Sequence, residues 1–247
     1  MPTISLTGSD LSLDDLVAVA SGAPVEFSEG ARAAIRASRA VVDGAVARGE
    51  VVYGINTGFG NFADVRIGPE DLATLQRNLV RSHAAGVGPA LSVRETRALM
   101  VLRANVLAKG FSGARLETAE LLIACLNRGV HPIVPEQGSV GASGDLAPLA
   151  HVALLLMGEG ECEHQGQRMR AAEGLAASGL APVTLEAKEG LALINGTQLM
   201  TAVTALALVE AEKLARAADV VAALTVDALL GTDVAFDPRI HDARPHA

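Results

Sequence analysis

Apolar residues recur at helical spacing through most of the chain. Residues 11–20 form a short helical pattern, and residues 28–47 an Ala/Arg-rich amphipathic one with Ile35, Val42 and Val46 on one face. Residues 51–53 read as a brief strand or extended segment, followed by a Gly/Asn/Thr-rich loop over 54–60. Residues 69–83 predict a helix with Pro69 in its first turn. Ser92 and Glu95 have the spacing of a capping box for a helix running to Lys109, which Gly110 closes. A further helix covers 116–127 and ends at Gly129. Residues 134–144 are a glycine-punctuated loop. Asp145 is placed to cap a helix through Met157, with Pro148 tolerated in its first turn. Residues 159–182 are more polar and loop-like, with hairpin pieces around 161–169. The pattern then runs from 186 to 230 as one very long helix, or as two broken near Asn195-Gly196. The last stretch, DPRIHDARPHA (237–247), is polar and turn-rich, predicts neither helix nor strand, and reads as a cut through a loop. There is no internal repeat and no low-complexity linker. The expected class is mainly α, a long-helix bundle with a small irregular N-terminal region.

Composition narrows the function classes. With 247 residues the chain can bury one large core or two modest ones. Half the residues are apolar but only 2% are aromatic, with one Tyr and no Trp, so the core must be aliphatic and Ala-rich. That suits close-packed helices and leaves no stacking platform for bases. Twenty basic against 28 acidic residues, a net charge of −8, argue against nucleic acid or an anionic membrane as partner. Cys125 and Cys162 cannot form a disulfide framework, which points to a reducing cytoplasm. The first twenty residues carry Asp10, Asp14 and Asp15 and lack the basic start of a secretory leader. Residues 190–209 are uncharged and nearly long enough to span a bilayer, but Asn195, Gln198, Thr197, Thr201 and Thr204 favour a buried helix.

Chemistry concentrates in GSVGASGDLAPLAH, residues 138–151. Ala142-Ser143-Gly144 alone reads as a flexible loop leading to a helix cap. The tripeptide also permits a reaction. Gly144 has no Cβ, so its nitrogen can bend back onto the carbonyl carbon of Ala142, whose small side chain leaves room. Cyclisation with loss of water, then loss of the Ser143 hydroxyl as a second water, gives a five-membered ring with an exocyclic methylidene. That group is an electrophile that no side chain supplies. It would sit by a helix start, whose positive pole favours developing negative charge.

The block resembles the signature of the histidine and aromatic amino acid ammonia-lyase family, whose cofactor, 4-methylidene-imidazol-5-one (MIO), forms autocatalytically from Ala-Ser-Gly. VYGINTGFG (52–60) resembles the family's tyrosine loop. LQRNL (75–79) with SHAAGVG (82–88) resembles its substrate-selecting segment, and EGLALINGT (189–197) its central-helix motif. Four motifs in order are highly specific.

The resemblance implies a helical, fumarase/aspartase-like architecture, present here only as its N-terminal part. It implies that Tyr53, otherwise a core aromatic, is the base removing the substrate β-proton. A phenol ordinarily titrates at about 10, so this role needs surroundings that stabilise phenolate. His83 would help hold the substrate side chain, and Ser82-His83 is similar to the histidine-specific branch. Asn195 would sit on the cofactor ring oxygen; otherwise it packs a long helix, where a buried Asn must be bonded. Asp145 is an N-cap or assists cyclisation, and Gly60 supports the tyrosine loop. The implied reaction is nonoxidative loss of ammonia from L-histidine to give trans-urocanate, the first step of histidine breakdown, without metal, PLP or NAD. GFGNFA (58–63) formally matches a dinucleotide fingerprint, but no helix pattern continues from it. The six His and two Cys have no metal-ligand spacing.

Family members are homotetramers whose sites combine three subunits. Their second half brings another tyrosine, a carboxylate-binding arginine and a glutamate, none with a counterpart here. The chain is therefore expected, over its full 1–247 span, to be the catalytic-loop and central-helix part of such an enzyme, inactive by itself. The alternatives are a tyrosine or phenylalanine ammonia-lyase or aminomutase, and a catalytically silent folding or assembly fragment.

Overall fold

Local capping chemistry sets several of the helix starts. The computed structural model of the chain describes residues 1–60, 63, 65–141 and 143–245. The first strand, β1 (Ile4–Leu6), precedes helix α1 (Leu13–Ala20), which opens on Ser12 with a full capping box to Asp15. Strand β2 (Val25–Phe27) pairs in parallel with β1, Ile4 opposite Val25. Ser28 caps α2 (Glu29–Ala47), accepting from the Ala31 N–H. A 3-10 turn (Pro69–Asp71) leads into α3 (Leu72–His83). Strand β3 (Val87–Ala90) is followed by α4 (Val93–Ala108), whose Ser92–Glu95 capping box forms as the sequence predicts. Helix α5 spans Leu116–Asn127, then come β4 (Val130–Pro132), β5 (Pro135–Gln137) and α6 (Leu146–Leu156). The hairpin expected around 161–169 is β6 (Glu161–His164) and β7 (Gln167–Arg170), and β6 also pairs with β4. Helix α7 (Ala171–Ala177) follows, then α8 (Glu189–Ile194) and α9 (Gln198–Ala228). The long apolar pattern is thus broken at Asn195–Gly196.

Several expectations need correction. Residues 51–53 are not a strand. Asn56 draws them into a turn, its Oδ1 accepting from the Val52 N–H at 2.9 Å and its Nδ2 donating to the Glu50 carbonyl at 2.6 Å. Part of the 134–144 loop is β5, which pairs antiparallel with β3. Helix α7 lies within the stretch read as loop. The tail contains a short helix, α10 (Pro238–Asp242), capped by Asp237, whose Oδ1 accepts from the Arg239 N–H at 2.9 Å.

The chain divides into two units, Met1–Thr204 and Ala205–Ala247. In the first, α4, α5 and α6 supply the core through Leu99, Met100, Leu107, Leu122, Leu126, Leu149 and Leu155, all fully buried. Ala98, Ala104, Ala119, Ala150 and Ala153 are buried between them, the aliphatic, Ala-rich interior that the composition requires. Buried Arg97 ties helix ends together, donating to the Val19 carbonyl of α1 at 2.7 Å and the Leu126 carbonyl of α5 at 2.7 Å. Both cysteines are free and buried, and burial pushes the Cys125 thiol up to about 12. In the second unit Leu208, Leu214, Leu224, Leu229 and Phe236 are exposed. The stretch Glu189–Ala228 is long and apolar enough to cross a membrane by length and composition, and 44% of the relevant window is buried. The expectation of a buried helix over 190–209 therefore holds for only some positions: Leu193, Ile194 and Ala202 are buried, Met200 and Val203 exposed.

Candidate active site

Ser143 and Gly144 lie against the α8–α9 break. Ala142 falls outside the described residues. Gly144 has φ +94, and a Cβ there would overlap the Gly196 carbonyl oxygen, so only glycine fits. The next peptide is held by the same carbonyl: the Asp145 N–H donates to Gly196 O at 2.6 Å. Ser143 is exposed, its Oγ 3.5 Å from Asn195 Oδ1, at the outer limit of a hydrogen bond. Asn195 has left the helical conformation (φ −91, ψ 105), and its side chain is exposed, not packed inside a helix.

Asp145 does not cap α6 with its side chain. It is completely buried; its Oδ1 accepts from the Ser139 hydroxyl at 2.6 Å and its Oδ2 from the Met200 N–H at 3.0 Å. Met200 lies in the first turn of α9, so the carboxylate caps that helix, where it meets the positive pole, and fastens the glycine loop to it.

Tyr53 stands on a turn, 58% exposed, its ring edge-on to Phe59 with centroids 6.2 Å apart. The backbone at Gly54 (φ +78) crosses α8 closely: a Cβ there would lie 3.0 Å from Leu191 Cδ2. Phe59 lines a cavity of about 520 Å³ with Val65, Leu79, Ser82 and His83. His83 Nδ1 lies 2.8 Å from the Leu79 carbonyl oxygen. A carbonyl can only accept, so Nδ1 carries a proton, and in the neutral imidazole Nε2 is then the acceptor. Gly60 is exposed on the same loop. Ser143 thus meets Asn195 directly, and Tyr53 reaches the His83 cavity through Phe59. Among the described residues no hydrogen bond joins these two halves.

Sequence reasoning missed the groups that hold α8. Glu189, fully buried at its start, accepts from Arg115 Nη2 (2.7 Å), Arg115 Nε (3.0 Å), Arg115 N–H (3.0 Å), the Thr118 hydroxyl (2.6 Å) and the Glu186 N–H (2.8 Å). Buried Gln76 of α3 accepts from the Gly190 N–H at 2.9 Å. Lys188 sits at φ +75; desolvation, with Arg103 nearby, pushes its ammonium below the usual lysine value. The available signal was a carboxylate or cation set directly against an apolar run, as at Glu189 and at Arg103 after Met100-Val101-Leu102. No cluster of His, Cys, Asp or Glu suited to a metal occurs among the described residues.

Residues 11–247 match the family described as aromatic amino acid lyase. The chain is 56% identical over 246 residues to histidine ammonia-lyase of Myxococcus xanthus, covering 99% of this chain and 48% of that protein. It resembles the crystal structure of histidine ammonia-lyase from Trypanosoma cruzi with a TM-score of 0.94 and 46% identity, over 99% of this chain and 48% of that one. Phenylalanine aminomutase of Pantoea agglomerans gives a TM-score of 0.92 at 33% identity, over 100% and 48%. The chain spans about half the length of the relatives it matches.

Proposed function

The chain belongs to the aromatic amino acid lyase family, and from that premise we propose that it is the N-terminal half of an ammonia-lyase acting on L-histidine, giving trans-urocanate and ammonia. One observation carries the reading: Ser143 and Gly144 lie against Asn195 and Gly196 in a cradle that a Cβ at Gly144 would fill. Ala142, Ser143 and Gly144 therefore suit the MIO ring, which supplies an electrophilic alkene carbon for the substrate amine.

The remaining roles belong to side chains of this chain. The exposed Asn195 side chain turns its Oδ1 to the Ser143 hydroxyl, and its Nδ2 is the group that can donate to an oxygen that gains charge. Tyr53, as phenolate, takes the β-proton. His83 offers Nε2 as an acceptor, and an imidazole N–H is the donor that a histidine side chain brings to the cavity. Asp145 keeps the loop seated on α9. Selection of histidine over phenylalanine or tyrosine rests on this acceptor and on relatives that carry the histidine ammonia-lyase name at 52–56% identity.

Tyr53, Ser143 and Asn195 are all exposed. Elimination chemistry needs water excluded and charges aimed in a closed site. The missing walls come from the rest of the protein and from partner subunits of a homotetramer in the cytoplasm, and the isolated chain is inactive. In the parent protein, intact mass should be lower by two waters and added histidine should yield urocanate; Gly144→Ala should abolish both. A parent of unaltered mass with full turnover would overturn the ring, and urocanate from the 247-residue chain at a parent-like rate would overturn its inactivity. His83→Leu in the parent should weaken histidine turnover relative to phenylalanine; an unchanged ratio favours the phenylalanine or tyrosine branch.

A further inference from the structure

A buried cation without a carboxylate partner lies beneath the α8–α9 break. Arg103 is 2% exposed, and among the described residues no carboxylate forms an ion pair with it. Its Nη1 donates to Asn195 O at 3.0 Å and to Gln198 Oε1 at 3.0 Å, and its Nη2 donates to Ala192 O. Burial alone lowers its pKa, to about 10. Burying an ion in this way is costly, and a neutral side chain of similar length would fill the same space. The position of the guanidinium explains the charge. In an unbroken helix the carbonyls of Ala192 and Asn195 would receive the N–H groups of Gly196 and Leu199. The break removes those donors and leaves the negative pole of α8 pointing at the gap. The fork of Arg103 satisfies both carbonyls and reaches across to the first residue of α9. With the segment pinned there, the Gly196 carbonyl is free to turn outward, where it abuts Gly144 and accepts from the Asp145 N–H at 2.6 Å. There is no slack on the inner side: a Cβ on Gly196 would come within 2.6 Å of Arg103 Nη1.

We propose that Arg103 is a positioning residue: it holds the Asn195–Gly196 break in the conformation that clamps the Gly144–Asp145 peptide and aims Asn195 at Ser143. This deepens the ammonia-lyase reading, because that peptide begins at Gly144, whose own nitrogen is the one required to close the ring, but the clamp itself is a property of the backbone and can be measured without turnover.

The test is amide hydrogen exchange on the full chain, with Arg103→Met and Arg103→Lys beside the wild type. Asp145 reports the clamp, and Leu122 and Leu126 in α5 report global stability. Loss of the fork should speed Asp145 exchange by about tenfold or more relative to the two leucines in Arg103→Met. Arg103→Lys keeps the stem and charge but cannot bridge the three acceptors, and should fall between; it carries the test if the methionine variant does not fold. Asp145 exchange that is unchanged, or that rises only in step with Leu122 and Leu126, overturns the proposal and reduces Arg103 to a general stabiliser. Intact mass of the same samples separates the two readings. An unaltered wild-type mass with Asp145 still responding to Arg103 counts against ring formation in this chain alone, whereas an indifferent Asp145 counts against the clamp whatever the mass.

Discussion

Replacing Glu189 by Ala asks whether the start of α8 depends on one buried carboxylate. The side chain accepts five hydrogen bonds, three from Arg115 and one each from Thr118 and Glu186. Truncation leaves the Arg115 N–H, the Thr118 hydroxyl and the Glu186 N–H without their acceptor. Breaking a buried ion pair costs about 3–5 kcal/mol. Here the guanidinium is not stranded, because Arg115 still reaches Glu186 Oε1 at 2.7 Å and the Thr184 carbonyl at 2.6 Å and keeps 23% of its side chain exposed. The loss should therefore sit at the lower end, about 3 kcal/mol. At roughly 2–4 °C per kcal/mol for a chain of this size, Tm should fall by about 6–12 °C in a calorimetric scan. Glu189→Gln keeps the volume but turns an amide donor toward the donors of Arg115, and should be nearly as damaging. The control is Glu161→Ala on the β6–β7 hairpin, whose partner Arg168 is 60% exposed; its melting should not change measurably. A Glu189→Ala shift no larger than that of the control would refute the assignment of α8's anchor to this carboxylate.

Two further outcomes follow from buried polar groups. His131 is 7% exposed, its Nε2 accepts from Arg97 Nη1 at 3.1 Å, and burial with the Arg97 charge pushes its pKa down to about 4. A histidine held below its ordinary value favours the neutral form in the folded chain. The stability it contributes is thus complete above pH 6.5 and is lost as pH falls toward 4, by at most about 3 kcal/mol. Urea titrations at the two ends should record the loss, and His131→Asn, which can accept from Arg97 without titrating, should flatten the slope; an unchanged slope would remove His131 as its source. Asp145→Asn loses one of two accepted hydrogen bonds and should cost about 1–2 kcal/mol. Amide exchange should quicken at Met200 in α9 while α6 keeps its protection; the opposite pattern would restore Asp145 to α6.

The parts of this fold legible in the sequence are those governed by neighbours a few residues apart. Ser12, Ser28 and Ser92 cap the helices they precede, because a hydroxyl three residues upstream of an N–H finds it without help from the rest of the chain. The break at Asn195–Gly196 was visible for a similar reason. The short strands were not, since β1 needs Val25 opposite Ile4 and β3 needs Gln137 opposite Val87 before either is stable. Asp145 is the clearest divided case. Its position before α6 marks it as a cap, and it is one, but for a helix whose capped N–H is 55 residues away.

The chemistry of the site divides in the same way. Four ordered motifs and a tripeptide able to cyclise are properties of the string of residues, and so is an Ala-rich core that favours helices. The tertiary structure decided that Gly196 presses on Gly144, that Phe59 links Tyr53 to the His83 cavity, and that Arg103 and Glu189 lie inside instead of in water. These contacts join positions far apart in the chain. Their entropic cost is met only when α3, α6 and α8 have buried their apolar faces together, and no local pattern encodes which polar groups that packing will trap.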